Sequence, residues 1–236
     1  MKNNQTANPI EEIKNNKKKM LLHAENLLKE GVFIADPERI DIRGELTCGK
    51  NVSIDINVIF EGIVKLDDNV SIGANSIIIS SVIGQNTVIK PFTLIEGAVI
   101  GKNSFIGPFG RIREGSVIND FVQIGNFVEI KNTTIMNKCR INHLSFIGDA
   151  DLAENVTIGA GTITCNHNGS NSSQTSIKSD VYIGSGTNLI APLNIGAGST
   201  IGAGSTINKD IPDGKLVIAR ARQTEVKNWH RNKTNK

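Results

Sequence analysis

The 236 residues allow one domain with a sizeable core and an appendage, but not two full enzymes. Hydrophobic residues make up 39% and aromatics only 4%, with 23 glycines spread along the chain, which excludes a helical bundle with a bulky core and suits stacked small side chains and frequent turns. The net charge of +3 sits at the ends, in KNNKKK and VKNWHRNKTNK, where charge runs are usually solvated, so no nucleic-acid partner is expected.

In chain order, the polar start MKNNQTANPIEE has no apolar signal-peptide core, and no apolar run approaches the roughly 20 residues that span a bilayer. A cytoplasmic protein with no membrane partner is the expectation. Residues 10 to 31 carry Ile10, Ile13, Met20, Leu21, Leu27 and Leu28 ahead of Gly31, which predicts a helix leading into the main domain. An N-terminal helix and linker over 1–31, a repeat domain over 32–212 and a basic tail over 213–236 follow from this pattern.

From Leu46 onward, a step of six residues meets Val52, Val58, Val64, Val70, Ser76, Val82, Val88, Leu94, Ile100, Ile106, Ile112, Ile118, Ile124 and Ile130, all aliphatic but Ser76. After one-residue slips the rhythm resumes at Ile135, Ile141 and Ile147, then at Leu152 and Ile158, and returns over Ile177 to Ile207. A helix of period 3.6 cannot hold a strict six on one face, and a plain strand would show period two throughout. Gly often follows the aliphatic, as in IGANS, IGKNS and IGAGS, and Asn or Asp falls in the turn, so the pattern is a hexapeptide repeat. Three units close a triangular coil of about 18 residues, giving roughly nine coils between Ile42 and Asp210. Proteins of this class resemble left-handed parallel β-helices, and that all-β fold is expected here.

The stretch CNHNGSNSSQTS, residues 165 to 176, is too polar and turn-rich for a face and predicts a protruding loop. Cys48, Cys139 and Cys165 form no CxxC pair and read as structural thiols in a reducing compartment.

Residues 18 apart stack in neighbouring coils, which places Arg113 under Lys131. Their repulsion is relieved either by an anion such as phosphate or by splaying into solvent. Across the 17-residue coil at the first slip, His143 falls above Asn126 and below Ala160, and Phe146 above Glu129. A histidine here is either a structural hydrogen-bonder or, beside a cation pair and a carboxylate, a general base. Metal ligation is disfavoured, since only His143 and His167 fall within the coils.

The segments GVFIADPERIDIRGEL, GPFGRIREGS, GNFVEIKN, NHLSFIGDA, IGAGTITCN and GSGTNLIAP resemble, in order, the acetyltransferase half of the bifunctional N-acetylglucosamine-1-phosphate uridyltransferase/glucosamine-1-phosphate acetyltransferase family. The resemblance covers about residues 20 to 231, and no GxGTRM-type nucleotide loop is present. It implies a homotrimeric β-helix that transfers an acetyl group from acetyl-CoA to the amine of glucosamine 1-phosphate at sites between subunits. It implies His143 as catalytic base, with Arg113, Lys131, Glu129, Phe146, Thr157 and Asn166 toward the acceptor. Ala160, Ser185, Ala203 and Arg220 would face acetyl-CoA, and no metal is implied for the transfer.

The departures fall on the acceptor side. Phe146 stands where the family usually has a tyrosine, Thr157 at its asparagine, His167 at its loop tyrosine and Ser172 at its loop lysine. The expected function is an N-acetyltransferase for an amino-sugar phosphate in UDP-N-acetylglucosamine or surface-polysaccharide synthesis, with a separate nucleotidyltransferase as a conceivable partner. The alternatives are a trimeric scaffold derived from such an enzyme and an acetyltransferase for a different, nucleotide-linked amino sugar.

Overall fold

The computed structural model describes residues 9–230; the first eight residues of the polar start and the last six of the basic tail lie outside the described residues. Helix α1 spans Pro9–Lys29. Proline suits its first turn, where the missing N–H has no intrahelical acceptor, and Glu11 and Glu12 favour the positive N-terminal end. The helix stops at Gly31, whose φ of 93° lets the chain reverse, and Val32 N–H bonds back to the Leu27 carbonyl at 3.0 Å. Only Ala24 and Leu27 of α1 are buried, so the helix caps the first coil with one narrow stripe.

The rest is a parallel β-solenoid with three faces. One face is a sheet of eleven short rungs from Phe33–Ile34 to Leu216–Val217. The second and third faces merge into a fifteen-stranded sheet, because the nine-residue strands Ile40–Cys48 and Val58–Leu66 run across both. They bend at Gly44 and Gly62, where a Cβ on Gly44 would lie 2.2 Å from the Gly62 carbonyl oxygen. Eleven rungs make about ten turns, one more than the repeat count from Ile42 to Asp210, because Phe33–Ile34 and Leu216–Val217 pair without an obvious hexapeptide.

Each face sends two side chains inward, a small one at the corner and a large one two residues on, as in Ser104/Ile106, Ser116/Ile118 and Val122/Ile124. Most buried hydroxyls are satisfied by backbone, Ser116 and Thr175 excepted: Thr87 Oγ1 donates to the Gly101 carbonyl at 2.7 Å and accepts from Ser104 N–H at 3.1 Å. This two-residue inward pattern explains where the step of six loses phase. Val82 is 36% exposed and Val88 and Leu94 are half-buried, whereas Ile83, Ile89 and Ile95 fill the core. Ser71 pairs with Val88, and Val88 with Phe105, so these coils hold 17 residues, but Phe105 pairs with Gln123 across 18. The shortenings are silent in the sequence because an outward Val or Leu sits beside each inward Ile.

Turns at the corners use the left-handed region, which asparagine tolerates. Asn51, Asn69, Asn86 and Asn103 have φ of 54–58° and pass side-chain amide hydrogen bonds up one corner at 3.1, 2.9 and 3.0 Å. Residues 165–176 form the expected excursion: Thr157 pairs with Tyr182, which stretches that coil to 25 residues.

Candidate functional site

The corner between the first and second faces carries a ridge set by backbone hydrogen bonds. Leu144 N–H donates to the Asn126 carbonyl at 3.0 Å, Gly161 N–H to His143 at 3.3 Å, Gly186 N–H to Ala160 at 2.7 Å and Gly204 N–H to Ser185 at 2.8 Å. Asn126, His143, Ala160, Ser185 and Ala203 therefore rise in one line, as the register Asn126↔His143 requires. At about 4.8 Å per rung, His143 and Ala203 are about 14 Å apart. Arg220 reaches the top of this line, its Cδ 3.7 Å from where a Gly204 Cβ would stand.

His143 is exposed, and its ring has no hydrogen-bond partner among the described residues. Its carbonyl accepts from the buried Ser145 hydroxyl at 2.8 Å, which fixes the corner and leaves the imidazole free. The ring also borders an open depression lined by Lys90, Gln123, Asn126 and Asn142.

The second face carries the charges. Glu129 stands between Arg111 and Phe146, and Lys131 is level with Gly148. Arg113 Nη1 donates to Glu129 Oε1 at 3.0 Å, and this bond holds the guanidinium proton more tightly than usual. The stacked cations are thus relieved in part from within the chain. Lys131 has no side-chain hydrogen bond or ion pair among the described residues, and Arg113 Nε is buried without a partner, so donor capacity remains on this face. The Phe146 ring lies across Gly148: a Cβ there would come within 2.6 Å of its Cζ.

Within one chain the structure brings together His143, Ala160, Ser185, Ala203 and Arg220 on the ridge, with Arg113, Glu129, Lys131 and Phe146 on the face beside it. Thr157 lies on the first face, between Arg140 and Tyr182. Asn166 lies at the corner between the second and third faces, where its amide donates to Asp149.

Two features escaped the sequence reading. Asp149, in a left-handed turn with φ of 49°, receives the amides of both Asn132 and Asn166; the signal available was its place 17 residues after Asn132. Phe92, Phe109 and Phe127 stack at 5.0 and 5.2 Å on the corner below Leu144, signalled by PFT, PFG and NFV at spacings of 17 and 18. All three are exposed and have φ between 54° and 61°.

A hollow of about 690 Å³ between α1 and the first coils is lined by Lys14, Lys17, Met20 and Arg39, and none of the site residues borders it. Among the described residues no group of three or more His, Cys, Asp or Glu side chains is placed to hold a metal ion. Burial pushes the thiols of Cys48 and Cys139 up to about 12 and about 11, which suits structural cysteines.

No family model matches the chain. Over 208 residues, 88% of its length, it is 48% identical to the bifunctional protein GlmU of Aromatoleum aromaticum and 54% identical to that of Nitrosospira multiformis. The chain spans about half the length of the curated relatives it matches, 46% and 45% in these two cases. Among solved structures, the UDP-N-acetylglucosamine acyltransferase from Campylobacter jejuni is 21% identical with a TM-score of 0.48, the match covering 78% of this chain and 70% of that one.

Proposed function

We propose that this chain, homologous to the acetyltransferase part of the bifunctional GlmU proteins over the length it matches, transfers an acetyl group from acetyl-CoA to the amine of an amino-sugar phosphate. Glucosamine 1-phosphate or a close relative is the acceptor, in UDP-N-acetylglucosamine or surface-polysaccharide synthesis. The observation that carries this reading is the exposed His143, continuous along one ridge with Ala160, Ser185 and Ala203 and flanked by the Arg113, Glu129 and Lys131 cluster.

The ridge suits an extended thioester arm laid along the corner, with Arg220 at its far end to meet phosphate groups. The neutral amine attacks the thioester carbon while His143 takes its proton. The tetrahedral oxyanion is met by backbone N–H groups of the Ala160 turn or the loop, the C–S bond breaks, and the imidazolium returns the proton to the leaving thiolate. No step calls for a metal. Lys131, with no bonded partner among the described residues, supplies the donor an acceptor phosphate would use, with the Arg113 charge beside it.

Thr157 stands on the first face, apart from Lys131 and Phe146 within one chain, so the full acceptor pocket takes more than one copy, and a homotrimer is the assembly proposed. The exposed phenylalanine stripe below Leu144, next to His143 on the same corner, is its candidate contact. No described helix is long and apolar enough to cross a membrane, and a cytoplasmic location is proposed.

A second reading, acetylation of a different, nucleotide-linked amino sugar, is favoured by the Arg113–Glu129 pair, which lowers the demand for a phosphate, and by Phe146, Thr157 and Ser172 in the acceptor region. CoA release measured against a panel of amino sugars, their 1-phosphates and nucleotide-linked forms separates the two. Turnover with none of them would leave the scaffold alternative.

A further inference from the structure

Three of the residues assigned to the acceptor, Lys131, Phe146 and Asn166, converge on the dipeptide Gly148–Asp149. Lys131 is level with Gly148 in the sheet, and the Phe146 ring and the Asn166 amide occupy the space a Gly148 Cβ would need, at 2.6 and 3.0 Å. Both oxygens of the Asp149 carboxylate are engaged: Oδ1 accepts from Asn132 Nδ2 at 2.6 Å and Oδ2 from Asn166 Nδ2 at 2.5 Å. The Ser172 hydroxyl and the Lys131 charge lie near enough to stabilise the same carboxylate electrostatically. The Asp149 side chain thus holds Asn166 on the outgoing limb of the excursion, and the Asn166 carbonyl in turn accepts from Ser173 N–H on the returning limb.

The surrounding bonds give this clasp a rigid base. Gly148 N–H donates to Thr164 Oγ1 at 2.8 Å, Ser173 N–H to the Asn166 carbonyl at 2.7 Å, and Gln174 Nε2 to Asp151 at 2.6 Å. His167 to Asn171 are exposed and, among the described residues, are held only within the tip itself, by Gly169 N–H to His167 Nδ1, Ser170 and Asn171 N–H to Asn168 Oδ1 and the His167–Ser172 bridge, so the clasp is what fixes the tip to the second face.

We propose that Asp149 is a positioning residue for the acceptor: its carboxylate closes the loop onto the second face and presents Asn166 beside Phe146 and Lys131. The proposal rests on reading this region as an acceptor pocket. Burial by itself would raise the Asp149 pKa, but the bonds from Asn132 and Asn166, the Lys131 charge and the nearby Ser172 hydroxyl hold it below the usual carboxylate value. The group is therefore an acceptor-only carboxylate at neutral pH, the form two amide donors require.

The chemistry distinguishes a clasp from mere space filling. Asp149→Asn keeps the shape and the turn preference but turns one of two accepting oxygens into a donor facing another donor; Asp149→Ala removes both acceptors. With the full chain, amide exchange over residues 165–176 and the KM values for acetyl-CoA and for the best amino sugar of the panel are measured in both variants. The expected result is at least tenfold faster loop exchange and an acceptor KM raised about 10- to 100-fold in both, with the acetyl-CoA KM within about twofold. An Asp149→Asn protein indistinguishable from the unmodified one overturns the clasp. Faster exchange with an unchanged acceptor KM, or with both KM values raised alike, overturns the positioning role. If the unmodified protein acetylates no amino sugar, the functional reading fails on its own, while the exchange measurement still decides whether Asp149 clasps the loop.

Discussion

At His143 the ring is solvent-facing, and its carbonyl, not its imidazole, makes the structural bonds at the corner. Removing the ring should therefore leave the coil intact. His143→Ala is expected to lower kcat about 10²- to 10⁴-fold with acetyl-CoA affinity unchanged, as steady-state kinetics and calorimetry would show. Lys131→Ala should raise the acceptor KM and not that of acetyl-CoA, because Lys131 lies on the second face, off the ridge. Phe146 has no group to bond a charged acceptor and the Ser172 hydroxyl is far shorter than a lysine, and each such lost bond is worth about 1.5–3 kcal/mol. Glucosamine 1-phosphate is thus expected to be a poor substrate that Phe146→Tyr with Ser172→Lys improves; family-like efficiency in the unmodified protein would show the losses to be offset elsewhere. Asp149 adds a pH dependence whose sign follows from its depressed folded pKa. Its contribution is present above the unfolded value of about 3.9 and is lost as pH falls through the lower folded value. Loop exchange, corrected for the intrinsic rate, should rise in that acidic window and not do so in Asp149→Asn.

Among the elements, the coil is the unit of packing, and its large inward residue is the sensitive one. Ile112 is fully buried between Ile95 and Ile130 in the same column. Ile112→Ala is expected to cost about 2–5 kcal/mol, read as a lowered Tm, while Val99→Ala, at an outward position, should cost little. The coil was legible because its period is neither 3.6 nor 2, and the loop because residues 165 to 176 lack a large aliphatic, although Cys165 and Thr175 end up in the flanking strands and Thr175 is buried. The inward phase between Ser76 and Ile100 was not legible: III, VI and LI pairs offer an aliphatic in either phase, and only the register of whole coils decides which one enters the core. In the same way, Arg113 over Lys131 was readable as a stack, but the reach of Arg113 to Glu129 depends on side-chain geometry across two rungs.

For the molecule as a whole, one corner bears on assembly. Phe92, Phe109 and Phe127 keep apolar rings in water in a left-handed backbone conformation that costs such residues about 1–3 kcal/mol, although higher coils use Gly161, Gly186 and Gly204 at the same corner. A contact between copies accounts for that arrangement. Sedimentation is expected to show a trimer, and Phe109→Glu to release monomers with intact solenoid circular dichroism and lost turnover; a stable, active monomer would remove the need for a shared site. What the sequence determined by itself is the repeat, and with it the placing of His143 above Asn126 and below Ala160, because stacking at a nearly constant coil length converts spacing along the chain directly into position; Ser185, beyond the 25-residue coil, and Ala203 were reached only through the resemblance. What only the tertiary structure decided is everything set by side-chain reach and corner geometry: the Arg113–Glu129 pair, the Asp149 clasp, the phenylalanine stripe and the separation of Thr157 from Lys131 and Phe146. These depend on which face a residue leaves and how far its side chain extends, and a one-dimensional period carries neither quantity.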